Sequence, residues 1–193
     1  MINYLKNKLL LESLHNFYRN EYNRDKLLSI LSDEKKISLR SIDWFITNYS
    51  KKNNIYYLIY ETPKKRPTFL ENNNLFKENL NVYHSYKSQL RAYSKKKFDP
   101  FCRRDRILFI LDEENRFETT VGQLNFFRWA LSNLIIDYIE EHKKEIEDDM
   151  NSCLKILKKK GKKSSGRKQR EELSLSATRG LSKKNVHVQL IFD

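Results

Sequence analysis

The sequence predicts an α+β fold with a helical N-terminal third, a small, mostly antiparallel sheet, one long central helix, a basic arm and a C-terminal strand. Three observations predict it. Apolar residues recur at helical spacing through the first fifty residues and again from residue 121. Two short runs at 55–60 and 106–111 are rich in β-branched and aromatic residues. Val186, Val188, Leu190 and Phe192 place an apolar residue at every second position of the last eight.

In the N-terminal third, Leu5, Leu9, Leu10, Leu14, Phe17 and Tyr18 predict a helix over 4–19, and Leu27, Leu28 and Leu31 a second over 24–32. Ile42, Phe45, Ile46 and Tyr49 fall at i, i+3, i+4 and i+7, which predicts a third helix over 38–49 with one apolar face. Ile55–Tyr60 reads as a strand, and Pro63 and Pro67 bracket a turn that carries Lys64, Lys65 and Arg66. The Asn-rich stretch 71–80 reads as a loop. Tyr83, Tyr86, Leu90 and Tyr93 predict a helix that ends before Asp99-Pro100.

Arg106–Leu111 reads as a buried strand, followed by an acidic turn and a returning strand at 117–119. Thr120-Val121-Gly122-Gln123 fits a capping box. Leu124, Phe127, Leu131, Leu134, Ile135, Tyr138 and Ile139 then line one face of a helix expected to run unbroken into the 140s and on to Leu157. The expected organisation is a globular core over 1–154, a basic, partly flexible arm over 155–184, and a strand over 185–193 returning to the core sheet.

Charge carries the functional reading. Lys and Arg total 38 against 25 Asp and Glu, a formal net charge of +13. A field of this sign attracts polyanions. Within 155–184 twelve cations face only Glu171 and Glu172, so ten of the thirteen net charges lie there. Lys158, Lys159, Lys160, Lys162, Lys163, Arg167, Lys168 and Arg170 concentrate the charge, as phosphate neutralisation with counterion release requires.

A second basic stretch, Lys87, Arg91, Lys95, Lys96, Lys97, Arg103, Arg104 and Arg106, opposed by Asp99 and Asp105, interleaves with Tyr86, Tyr93, Phe98 and Phe101. Aromatics among cations suit base stacking, and equally suit a core edged by solvated charge. The two N-terminal helical hairpin elements followed by a strand and basic loop also match the order of a winged helix-turn-helix, although the second helix carries Trp44 and Phe45 and few bases beyond Arg40.

Chemistry is weakly signalled. The four histidines are scattered, and no Cys/His metal spacing or Gly-rich phosphate loop occurs, so no cofactor is expected. Asp99, Asp105, Asp112, Glu113 and Glu114 are the acids that a Mg²⁺-dependent nucleic-acid-processing enzyme would use, and Cys102 beside Arg103 and Arg104 is the one candidate nucleophile. Two cysteines are too few for a disulfide framework, which fits a reducing intracellular setting. No apolar run reaches the roughly 18 residues of a membrane span, and no signal-peptide core follows the N-terminus.

Three stretches, 38–53, Phe98-Asp99-Pro100-Phe101-Cys102-Arg103-Arg104 and 119–130, resemble those of uncharacterised proteins of large nucleocytoplasmic DNA viruses. The resemblance implies a viral factory, nucleus or virion interior as the setting, with viral DNA as a natural partner. It brings no catalytic residues. The sequence therefore points to a non-enzymatic nucleic-acid-binding protein, DNA ahead of RNA, in genome packaging, condensation or late gene expression. An assembly protein that binds acidic viral partners is the alternative outside the nucleic-acid class.

Overall fold

Helix α1 (Ile2–Arg19) forms because its apolar residues recur each turn, and it buries Leu14 and Tyr18 completely. The Tyr18 hydroxyl, carried inward with its ring, donates to the Leu124 carbonyl at 2.8 Å. After Asn20, whose side chain accepts the Tyr22 amide, helix α2 (Glu21–Leu31) runs on with Leu27 buried. Lys26 ties it to Asp137 by an ion pair. The computed structural model describes residues 2–31, 37–93, 95–112 and 115–161. The expected turn between the second and third helices and the terminal strand over 185–193 lie outside them.

Ser38 caps helix α3 (Leu39–Trp44), its hydroxyl accepting the Ser41 amide at 3.0 Å. The chain continues through a π-helical turn (Phe45–Tyr49) into a single turn, α4 (Ser50–Lys52). Strand β1 (Tyr56–Glu61) follows and pairs antiparallel with both β2 (Pro67–Thr68) and β3 (Leu75–Asn81), giving the order β2-β1-β3. Strand β3 corrects the loop expected over 71–80. Only 71–74 turns, with Asn73 in the left-handed region (φ 58°). Leu80 is the one buried side chain of β3, so no period-2 pattern marks it; pairing with β1 makes it a strand.

Helix α5 (Val82–Tyr93) is capped by Asn81, which accepts the His84 amide at 3.1 Å. Strands β4 (Arg106–Ile110) and β5 (Arg116–Thr120) form a separate antiparallel hairpin. The first was expected to be buried throughout. Instead Phe109 alone is buried, stacked on His15 with centroids 4.3 Å apart, and Leu108 and Ile110 are exposed. A two-stranded ribbon has one covered face, so alternation returns.

The expected single long helix is three helices in succession: α6 (Val121–Ser132), α7 (Ile135–Glu141) and α8 (Lys143–Gly161). Asn133 makes the first break. Its amide and its side-chain nitrogen both donate to the Trp129 carbonyl, and Leu134 then turns left-handed (φ 54°) with its side chain still buried. Burial offsets a conformation usually left to glycine. The second break is at His142, which stacks on Tyr138 at 4.1 Å.

The fold is α+β, and one hydrophobic cluster joins its elements. Phe98 is a hub of that cluster: it is buried, with ring centroids 5.6 Å from Phe126, 5.7 Å from Trp129, 6.0 Å from Tyr86 and 6.1 Å from Tyr93. Phe98→Ala should cost about 3–5 kcal/mol, the range for emptying a buried aromatic site. Urea denaturation measures it, and a loss under about 1 kcal/mol would deny Phe98 this role.

Candidate functional site

The basic stretch in the middle of the chain is placed by the two elements on either side of it. Helix α5 turns Val82, Tyr86, Leu90 and Tyr93 toward the core and His84, Lys87, Ser88, Arg91 and Ala92 outward. It contains no acid. A 3-10 turn (Lys95–Lys97) follows, and Phe98 then enters the core.

From there the backbone is fastened to the start of α6. The Asp99 amide donates to the Gly122 carbonyl at 3.2 Å, Gln123 Nε2 donates to the Pro100 carbonyl at 3.1 Å, and Asn125 Nδ2 donates to the Lys97 carbonyl at 2.9 Å. Gly122 permits the approach: a Cβ there would stand 3.0 Å from the Lys96 carbonyl oxygen and 3.3 Å from Cys102 Cβ. The capping box is half realised as a result. Thr120 Oγ1 accepts the Gln123 amide at 3.1 Å, but the Gln123 side chain turns to Pro100 and to the Thr119 hydroxyl.

Of the expected phosphate contacts, Lys95, Lys96 and Lys97 therefore share one turn, with Arg103 and Arg104 exposed on the loop that leads to β4. Lys96 is exposed, whereas Lys97 is half-buried and donates to Asn7 on α1 at 2.6 Å. The interleaved aromatics belong to the core. Phe98 is buried, and Tyr86, Tyr93 and Phe101 pack half-buried against the same cluster. Burial, with the negative charges of Asp43 and Asp99, pushes the Tyr86 hydroxyl up to about 12.

Lys158, Lys159 and Lys160 lie in the last turns of α8. The helix expected to extend to Leu157 thus runs through Gly161, into the first part of the segment 155–184. Acids at Glu145, Glu147 and Asp148 near the helix start and lysines at its end match the helix dipole, and leucine and lysine are good helix formers. Lys162, Lys163, Arg167, Lys168 and Arg170 lie outside the described residues.

The helix-turn-helix order has no reading helix. Every residue of 39–50 is buried or half-buried, so α3 and its π-turn present no face to a groove. Trp44 Nε1 donates to Asp149 of α8 at 3.0 Å, and Phe45 stacks on Tyr138 at 5.2 Å. Of the acids considered for metal chemistry, Asp99, Asp105 and Asp112 are used in turns, and Glu113 and Glu114 lie outside the described residues. Asp99 Oδ1 accepts the Phe101 amide at 2.8 Å, Asp112 Oδ1 accepts the Asn115 amide at 2.7 Å, and Asp105 sits at φ 55°. Among the described residues no group of three or more His, Cys, Asp or Glu could hold a metal ion. Cys102 Sγ lies 3.8 and 3.7 Å from the carbonyls of Lys96 and Arg104 and fills the space beside Gly122.

Ion pairs sort the remaining surface charge. Lys52 is paired with Asp149, Arg106 with Glu118, and Arg24 with Glu21, Asp25 and Asp112. Lys51, Lys87, Arg91 and Lys96 make no ion pair among the described residues. Lys51 was legible only as the end of a helix; its place beside α5 follows from the fold.

The chain belongs to the family of unknown function DUF7197, whose model matches residues 4–185. It is similar to "Uncharacterized protein L507" of Acanthamoeba polyphaga mimivirus, with 41% identity over 155 residues, 78% of this chain and 54% of that protein. The chain thus spans about half the length of that relative, and the resemblance to viral proteins holds to this extent. No solved structure matches it. No helix among the described residues is long and apolar enough to cross a membrane.

Gln123→Ala should strip the Pro100 carbonyl and the Thr119 hydroxyl of buried partners and cost about 1–3 kcal/mol. Limited trypsin digestion read by mass spectrometry should then show faster cleavage at 95–104. An unchanged cleavage map would show that Gln123 does not hold the turn.

Proposed function

We propose that this chain is a non-enzymatic nucleic-acid-binding viral protein, DNA ahead of RNA, whose basic arm makes phosphate contacts in genome packaging, condensation or late gene expression. The observation that carries the reading is the distribution of charge. Ten of thirteen net positive charges fall in 155–184, leaving the preceding core close to neutral for its size. Helix α8 leads from the core into this segment, so the first lysines of the arm extend from a fixed element. The division into a core over 1–154, an arm over 155–184 and a returning strand over 185–193 is part of the same proposal. A viral relative makes a viral genome the natural polyanion.

The second reading, an assembly protein with acidic partners, is favoured by one observation. Glu140, Glu141, Glu147 and Asp148, with Lys143 and Lys144 among them, line a shallow depression of net negative charge across α7 and α8, while the far end of α8 is lysine-rich. Copies of the chain could therefore attract one another head to tail.

Fluorescence anisotropy over a salt series separates the two. Engagement of the arm predicts that affinity for duplex DNA falls by roughly 10³–10⁵ between about 50 and 200 mM salt, the behaviour of 6–10 phosphate contacts. Replacing Lys158, Lys159, Lys160, Lys162, Lys163, Arg167, Lys168 and Arg170 together by Gln should abolish most of the binding and flatten the salt dependence. Unchanged affinity would remove the arm from the mechanism, and self-association without retention on DNA would favour the assembly reading.

A further inference from the structure

Two lysines from different elements share one aromatic ring on the outer side of α5. Lys51 Nζ, at the end of α4, lies 5.4 Å from the centroid of Tyr83, and Lys87 Nζ, one turn further along α5, lies 5.7 Å from it. Tyr83 is half-buried and both lysines are exposed. The negative face of the ring attracts each ammonium group and limits where each lysine can go. Arg91 follows Lys87 by four residues on the same face, about 6 Å further along the helix. Lys96 lies beyond the helix end. No acid occurs in the sequence between Glu78 and Asp99, and these four cations make no ion pair among the described residues.

We propose that Lys51, Lys87 and Arg91, organised by Tyr83, form a phosphate-binding face for the nucleic-acid backbone on the folded core, separate from the C-terminal arm. The proposal rests on nucleic acid being the ligand and adds a second site to it. A row of unpaired cations spaced along a helix matches a regularly charged strand. The outward face offers no large apolar residue to insert into a membrane, since His84, Ser88 and Ala92 complete it. The Tyr83 ring is engaged by the two lysines, so it acts by holding cations and not by stacking on bases.

The test uses the full chain and labelled duplex and single-stranded oligonucleotides, with polyglutamate as a second polyanion. The triple variant Lys51→Gln, Lys87→Gln, Arg91→Gln should bind nucleic acid more weakly. The slope of log affinity against log salt should be shallower by about 2–3, at roughly 0.7–0.9 per lost contact. Tyr83→Phe keeps the ring and should match the native slope, whereas Tyr83→Leu should lose part of it. Circular dichroism and thermal melting confirm that each variant folds. Lys64→Gln, Lys65→Gln, Arg66→Gln removes the same charge from an exposed loop and should leave the slope in place.

An unchanged slope in the α5 variant, beside lost affinity in the arm variant, overturns this site and leaves the arm standing. An equal effect from the loop control overturns it as well, because net charge alone would then explain the result. Loss of polyglutamate binding with nucleic-acid binding intact assigns the face to an acidic protein and overturns the proposal. Failure of the native chain to bind any nucleic acid overturns both this site and the function on which it rests.

Discussion

The seating of Phe98 beside the first turns of α6 is the contact on which the rest of the arrangement depends. The ring closes a cluster with Phe126, Trp129, Tyr86 and Tyr93, which locks α5 to α6. Backbone on both sides of it would carry unsatisfied polar groups into that contact. The amides of Gln123 and Asn125 take up two of its carbonyls, and the missing side chain of Gly122 lets the strands of chain meet. Apolar burial draws the segment in and hydrogen bonding fixes its register. The consequence for function is mechanical: a highly charged turn, which would otherwise be repelled by its own cations, is held on a rigid helix start.

Charge is segregated over the same scaffold. Some cations are held by acids, as Lys26 is by Asp137 and Lys52 by Asp149. Trp44 and Lys52 both donate to the Asp149 carboxylate. Burial of Asp149 opposes its ionisation, but these donors outweigh it and lower the pKa. Along α5, Lys87 and Arg91 make no ion pair among the described residues. A polyanion would meet charge already paired at the first kind of position and available charge at the second.

Much of the fold was legible. Helical spacing located α1, α2, α3, α5 and α6, and strand composition located β1, β4 and β5, because in each case local pattern and tertiary burial agree. Strand β3 was not legible, since Leu75–Asn81 buries one side chain and owes its conformation to β1. The breaks in the long helix were hidden because Leu134 keeps the apolar period while its backbone turns left-handed. The site was legible as charge and illegible as geometry. Sequence spacing showed Lys95–Lys97 and Arg103–Arg104 as cations, and it left the role of the aromatics open; the packing of Phe98 assigns them to the core. Lys51 and Tyr83, thirty-two positions apart, could not be joined by any local pattern. Segments 98–104 and 119–130, singled out separately by their resemblance to viral proteins, prove to be two sides of one contact.

Hydrogen–deuterium exchange of the full chain with and without a DNA oligonucleotide tests the central claim most directly, because it reports where the polymer lies. The account predicts slower exchange on DNA binding in 84–97 and 158–170, with no change in α3, where all side chains are already covered. Protection confined to 39–49, or bound DNA with no protection in either basic region, would contradict it.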